Sequence, residues 1–125
     1  MEQREIKFRG ISKKTGDFIY GMPTFNFTHI FNDEQMDSPD NYEIIPETLG
    51  QFTGLTDKNG VEIYEGDVIL SDGGIVADVS FLGNNKTCTI GFYLTTPQGF
   101  CALLTPDTGD AVKVIGNIHQ NPELL

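Results

Sequence analysis

Short runs of alternating apolar and polar residues recur along the chain, and each run predicts a half-buried β-strand. In EIKFRGI, Ile6 and Phe8 fall on one face and three charged residues fall on the other. The polar segment SKKTGD follows, and FIYGM then resumes the strand pattern. Residues 4–22 are therefore predicted to form an antiparallel hairpin.

The same alternation in FNFTHIF predicts a further strand with an aromatic face formed by Phe25, Phe27, His29 and Phe31. This register favours a hydrogen-bonded core or interface histidine over a ligand at His29. The next segment, NDEQMDSPDN, is polar and acidic, which predicts an exposed loop over residues 32–41. A short strand, YEII, follows and is stopped by Pro46.

Glycine turns dominate the second half of the chain. Asn59-Gly60 is typical of a two-residue hairpin turn with positive φ at both positions, and Gly66-Asp67 and Gly73-Gly74 predict two more turns. About five strands in about 60 residues are typical of a small barrel, SH3-like by analogy. The predicted fold is mainly β, with antiparallel N-terminal hairpins packed with a small SH3-like C-terminal β-barrel. One domain is expected over residues 1–125, with a subdivision into 1–50 and 51–125.

Charge is distributed unevenly along the chain, whose formal net charge is -10. Residues 1–20 hold five of the eight basic residues, and the remainder is strongly acidic. An acidic surface repels a phosphate backbone, so general nucleic-acid binding is disfavoured. A basic strip of Arg4, Lys7 and Arg9 is the candidate nucleic-acid contact, although a solvated sheet face is the favoured interpretation of these residues.

The acidic stretch QFTGLTDKNGVEIYEGDVI, residues 51–69, invites a metal or catalytic interpretation, and its spacing argues against both. A calcium loop needs oxygen ligands at its first, third and fifth positions, and the fifth position counted from Asp57 is Val61. No histidine, serine or cysteine is close enough in sequence to form an acid/base set with its glutamates. We therefore predict turn scaffolding with surface carboxylates here.

No other pattern predicts a catalytic, cofactor or metal site. A zinc site would require Cys88, Cys101, His29 and His119 to converge, without any C-x-x-C pair. Phosphate-binding, hydrolase and metalloprotease motifs are not found in the sequence. The prediction is a non-enzymatic protein with no cofactor.

The N-terminal sequence lacks the apolar run of a signal peptide, and no segment approaches the length of a membrane span. A cytoplasmic location without membrane association is expected, with both cysteines reduced.

Three segments, REIKFRG, residues 51–69 and VIGNIHQNPELL, carry a resemblance to the YopX family. The sequence departs from the family pattern at Gly10-Ile11-Ser12, where members carry Trp-Asp, and residues 23–49 match no family motif. The resemblance implies a mostly β protein with an SH3-like C-terminal part. It also implies an origin in bacteriophages or prophages and action in the bacterial host cytoplasm. Because the function of this family is uncharacterised, it implies no catalytic or binding residues.

Three functional hypotheses follow. The favoured one is a module that binds a host or phage protein, with partner contact through five acidic residues: Asp33, Glu34, Asp37, Asp40 and Glu43. This acidic set also allows mimicry of nucleic acid against a host DNA-handling enzyme. The alternative is an accessory protein that binds nucleic acid through the basic hairpin, with stacking on Phe8 or Tyr20. An enzyme is the least favoured, and homo-oligomerisation through open strand edges or the phenylalanine-rich face is expected to be possible.

Overall fold

A computed structural model describes residues 7–24, 26–31, 42–84 and 89–125. The chain divides into two compact units, residues 1–52 and 53–125. Antiparallel strands dominate both units, which confirms the predicted mainly β fold class. Helical segments in the described part are single turns, and none is long and apolar enough to cross a membrane.

The first unit is built on the predicted N-terminal hairpin, which is confirmed. Its strands lie in the order β3-β2-β1-β4, and Ile11 pairs with Phe18 across the first turn. The small core consists of buried isoleucines packed with Leu49. A Cβ at Gly10 would lie 2.7 Å from the Ile44 Cδ1 atom, so any other residue there would force the Ile44 side chain to shift. The bounds are β1 (Phe8–Ile11), β2 (Phe18–Pro23), β3 (Ile30–Phe31), a 3-10 turn (Pro46–Thr48) and β4 (Gly50–Thr56), which continues into the second unit.

The continuous strand predicted for FNFTHIF is wrong. The backbone turns at Phe27, which has a φ of 60°, and only Ile30–Phe31 is a strand. Ile30 is buried, whereas Phe27 and Phe31 are exposed, so the aromatic face does not form the core. The reason is local, because Asn26 Oδ1 accepts hydrogen bonds from two threonine hydroxyls and so stabilises a turn. Phe25 lies outside the described residues.

His29 is hydrogen-bonded, as the sequence predicts. Its Nδ1 atom lies 2.7 Å from the Thr28 hydroxyl oxygen, and its ring stacks on Phe31 with centroids 6.5 Å apart. His29 is half-buried, and its backbone forms an isolated antiparallel β-bridge with Glu43.

The second unit contains a five-stranded antiparallel sheet with the order β10-β6-β7-β8-β9. The face that packs on Ile63 of β5 forms the larger core, to which strands β6, β7, β8 and β10 contribute buried residues. The bounds are β5 (Glu62–Tyr64), β6 (Asp67–Ser71), β7 (Val76–Asn84), β8 (Thr89–Thr95), β9 (Cys101–Leu103), a helical turn α1 (Pro106–Gly109), β10 (Val112–Asn117) and a 3-10 turn (Pro122–Leu124).

A closed barrel is not found in the described part of the chain, so that detail of the prediction needs correction. The sheet ends at β9 on one side and β10 on the other. Between them the chain forms α1, which begins at Thr105, whose side chain accepts a hydrogen bond from the Thr108 N–H. This helical turn connects the two edge strands of the open sheet.

One turn type occurs three times in the second unit. In DKNGV, the Asp57 N–H donates to the Val61 carbonyl, and the Gly60 N–H donates to the Asp57 carbonyl. Gly60 has a φ of 83°, whereas Asn59 does not have a positive φ. The two-residue turn predicted at Asn59-Gly60 is therefore wrong, and a three-residue loop with glycine in the left-handed position takes its place. The same pattern recurs in SDGGI at 71–75 and in TPQGF at 96–100.

The carboxylates in residues 51–69 are partly structural and buried, rather than all on the surface. Asp57 Oδ1 accepts the N–H groups of Asn59 and Val61, and its Oδ2 accepts the N–H of Val114 in β10 at 2.9 Å. Asp67 is buried and accepts the N–H of Tyr64 at 2.8 Å. These two residues stabilise turns and strands, so the predicted scaffolding role of this stretch is right. The predicted surface location of its carboxylates is wrong for Asp57 and Asp67.

Electrostatics at Asp57 favour its ionised form. Burial by itself raises the pKa of this carboxyl. Hydrogen bonds from the N–H groups of Val114, Val61 and Asn59 lower the pKa and together outweigh the effect of burial. The net pKa lies below the ordinary value. Asp57 therefore contributes stability at neutral pH, and that contribution is lost as the pH falls through its depressed folded pKa.

We expect Asp57→Asn to lower the free energy of unfolding by about 3 kcal/mol at pH 7, because the amide places a donor against the Val114 N–H. Urea unfolding measures this value. Asp72→Asn is the matched control, since Asp72 forms an exposed ion pair with Lys58 worth below about 1 kcal/mol. The difference between wild type and Asp57→Asn should shrink below about pH 4. An equal difference at pH 7 and pH 3 would contradict the role of the charge.

Candidate binding site

An apolar cavity of about 290 Å³ opens on the core face of the sheet in the second unit. Its floor is formed by Ile69, Ala77, Leu94 and Val112, which are also members of the buried core. Ala102 of β9 also lines it and remains exposed. The cavity is thus the end of the hydrophobic core that the surrounding chain leaves uncovered.

Two of the three related turns form the mouth of this cavity. Ser71 and Ile75 bracket one turn, and Thr96 and Phe100 bracket the other. In each pair the first hydroxyl accepts the N–H of the apolar residue, at 3.0 Å for Ile75 and 3.1 Å for Phe100. Ile75 is 57% exposed and Phe100 is 75% exposed. The turns therefore hold two large apolar side chains in solvent beside an apolar opening.

The third turn provides an internal comparison. Val61 occupies the position equivalent to Ile75 and Phe100 and is 49% exposed, but it does not line the cavity. A substitution at Val61 therefore alters the same position of the same turn type without altering the cavity lining.

Polar and charged groups surround the opening. Thr108 and Cys101 are among the lining residues, and Cys101 has a free, exposed thiol. Asp107 and Asp110 flank Thr108 on α1 and its C-cap. Asp107 and Asp110 are both exposed, and the salt bridges within the described chain do not involve them. Asp107 and Asp110 lie next in sequence to the lining residues Thr108 and Ala111, and these two carboxylates are called the acidic rim.

This arrangement suits the binding of an apolar group. The hydroxyls of Ser71 and Thr96 already accept hydrogen bonds from the turn backbone. In the described residues, no three His, Cys, Asp or Glu side chains cluster in a way that could hold a metal ion. The cavity provides concave apolar surface, which is the usual property of a recognition pocket.

The basic residues singled out in the sequence lie on the first unit. Arg9 is only 6% exposed, and its guanidinium carbon lies 4.1 Å from the centroid of the Phe18 ring. Lys7 is half-buried, with its ammonium 5.0 Å from the Phe52 ring centroid. Both cations thus cover aromatic rings. Arg4 lies outside the described residues.

Of the acidic residues proposed for partner contact, only Glu43 is described, and it forms an ion pair of 3.1 Å with Lys13. Asp33, Glu34, Asp37 and Asp40 lie outside the described residues. Cys88, considered for zinc, also lies outside them.

Sequence reasoning missed the cavity. The signal that identifies its mouth is a repeated five-residue pattern, in which Asp, Ser or Thr is followed three positions later by Gly and then by a large apolar residue. Two of the three apolar residues, Ile75 and Phe100, lie beside the cavity. The pattern indicates a turn, but it does not indicate which turns meet in space.

A neutral solvatochromic dye such as Nile red should bind to this cavity with a blue-shifted emission, because the lining is apolar and neutrality avoids repulsion by the acidic rim. We expect Phe100→Ser to weaken dye binding about fivefold through the loss of apolar contact area. Val61→Ser is the matched control and should bind the dye as the wild type does. Equal weakening by both variants would show that the dye does not occupy the cavity.

The YopX protein family matches residues 7–125. The crystal structure of protein EF1440 from Enterococcus faecalis is similar, with a TM-score of 0.60 and 25% sequence identity over 98% of this chain and 99% of that chain. No curated protein matches the sequence. The family match covers nearly the whole chain, and the chain belongs to the YopX family.

Proposed function

We propose that the protein is a non-enzymatic interaction module that binds a host or phage protein through the apolar cavity of its second unit. The observation that carries this proposal is the pairing of an open apolar cavity with the exposed side chains of Ile75 and Phe100. Aromatic and aliphatic side chains beside a pocket are typical of interaction hot spots. A partner that covers these side chains removes their apolar surface from water, which favours binding.

The biological setting is part of the same proposal. Membership of the YopX family supports an origin in a bacteriophage or prophage and action in the cytoplasm of a bacterial host. We also infer that the second unit is an open relative of SH3-like barrels. This inference is supported by five consecutive strands in which the fifth lies beside the first, with a helical turn before the last strand.

Nucleic-acid binding through the N-terminal hairpin is less favoured. A phosphate contact needs a cation that reaches solvent, whereas Arg9 is buried over Phe18. Lys7 is the described member of the strip that retains partial exposure. The net charge of -10 also opposes approach to a phosphate backbone.

Affinity capture from an Enterococcus faecalis lysate tests the proposal, with the tagged full chain as bait and with nuclease added to half of each sample. The Ile75→Ser/Phe100→Ser double variant removes the mouth, and Val61→Ser is the control. We expect mass spectrometry to identify a protein that wild type and Val61→Ser retain and that the double variant loses at least tenfold.

Two results would contradict this proposal. Retention of the same proteins by the double variant would show that the cavity is not the binding site. Release of nucleic acid by nuclease, with loss of capture in a Lys7→Glu variant, would instead support the N-terminal hairpin as the contact surface.

We further infer that the chain self-associates through the outward face of the first unit, where Tyr20, Met22 and Phe31 are exposed. Met22 and Phe31 are cross-strand partners in the β2–β3 pair, so their side chains form one apolar patch. Multi-angle light scattering should give a mass above one chain for wild type at about 100 μM and a monomer mass for Met22→Lys. A monomeric wild type would overturn this inference.

A further inference from the structure

The two edges of the sheet in the second unit differ in whether their backbone groups are covered. At β10, the Lys58 N–H donates to the Val112 carbonyl at 3.0 Å, and Asp57 accepts the Val114 N–H. The turn after β4 therefore covers this edge. No strand of the described chain lies beyond β9 at the other edge.

Hydrogen bonds to β8 fix which groups of β9 face outward. The Thr96 N–H donates to the Phe100 carbonyl, and the Leu104 N–H donates to the Phe92 carbonyl, each at 2.8 Å. In an antiparallel ladder the residues that bond to the neighbouring strand alternate with residues whose backbone groups point away from it. Cys101 and Leu103 are therefore the residues whose N–H and carbonyl groups point to the open side.

The same alternation places the side chain of Ala102 on the cavity side of β9, between Phe100 and Leu104. Ala102 pairs with Leu94, which belongs to the cavity floor. A strand added beside β9 would place the side chain opposite Ala102 on this same face. One residue of such a strand can therefore enter the cavity while its neighbours bond to the backbone of β9.

The charged residues near β9 indicate which side chains would suit the flanking positions of an added strand. Asp107 and Asp110 lie on the segment between β9 and β10, and both are exposed. Asp72 stands at the other turn of the mouth, where Lys58 pairs with it at 2.7 Å. The pairing with Lys58 offsets the charge of Asp72. Asp107 and Asp110 remain as two exposed carboxylates on the segment that follows β9, and they favour cationic over acidic side chains in an added strand.

Resting on the proposed function, we propose that the partner binds as an extended, basic segment that adds a strand to the free edge of β9. One apolar side chain of this segment fills the cavity, and Lys or Arg residues face Asp107 and Asp110. Main-chain hydrogen bonds to Cys101 and Leu103 supply affinity, while the cavity and the acidic rim supply specificity.

A selection from a displayed library of random decapeptides tests this mode on the full chain. Enriched peptides should alternate apolar and cationic residues. Their affinities should fall at least tenfold for Ala102→Trp, which fills the cavity, and for Asp107→Lys/Asp110→Lys, whose changes are confined to exposed residues. Val61→Ser is the control and should leave affinity unchanged. Enriched peptides that are acidic, or an absence of peptides that depend on the cavity, would overturn the proposal.

N-methylation of the best peptide separates strand addition from other modes of binding. Methylation removes one donor, and in an added strand only alternate N–H groups face β9. We expect methylation at residues of one parity to weaken binding at least tenfold and methylation at the other parity to change it little. Equal tolerance at both parities would overturn the strand mode.

Failure of this inference can be distinguished from failure of the proposed function. A lysate protein that depends on Ile75 and Phe100, together with no parity effect or no basic preference in peptides, would leave the cavity as a partner site and reject the strand mode. Captured proteins that do not depend on these two residues would reject the cavity itself.

Discussion

The second unit depends on a single buried carboxylate. Asp57 accepts three backbone N–H groups, two within its own turn and one in β10, which is 57 residues away along the chain. This set of bonds joins the β4–β5 hairpin to the edge of the sheet and lets Lys58 cover the Val112 carbonyl. The cavity floor includes Val112, so its shape depends on where Asp57 holds β10. A group that resembles a site residue in the sequence acts here as a constraint on the backbone.

Residues in the other two family motifs also have structural roles. Gly10 in the first motif leaves no room for a Cβ beside Ile44. In the last motif a Cβ on Gly116 would lie 2.7 Å from Asn121 Oδ1, and Asn117 Oδ1 accepts the N–H groups of two following residues. Each motif thus fixes a close approach or a turn. The signature that identifies the family therefore reports conditions for folding.

The sequence predicts those features that depend on local chemistry. The hairpin formed by β1 and β2, the turn at Gly66 and the mainly β class follow from alternation and glycine positions. Two of the failures arise where distant partners decide the outcome. Asp57 is buried because Val114 reaches it, and Arg9 is buried because Phe18 lies across the hairpin. The cavity could not be predicted because a repeated turn pattern does not reveal that the turns at 71–75 and 96–100 meet at one opening.

This division between fold and surface explains where function should be sought in the chain. Most of the cavity lining, and both exposed apolar residues of its mouth, come from residues 71–112, outside the three motifs. The floor residues are constrained by the core, whereas Ile75, Phe100, Asp107 and Asp110 contribute little to it because they are exposed. Substitutions at these four positions are therefore expected to alter the surface beside the opening at a small cost in stability.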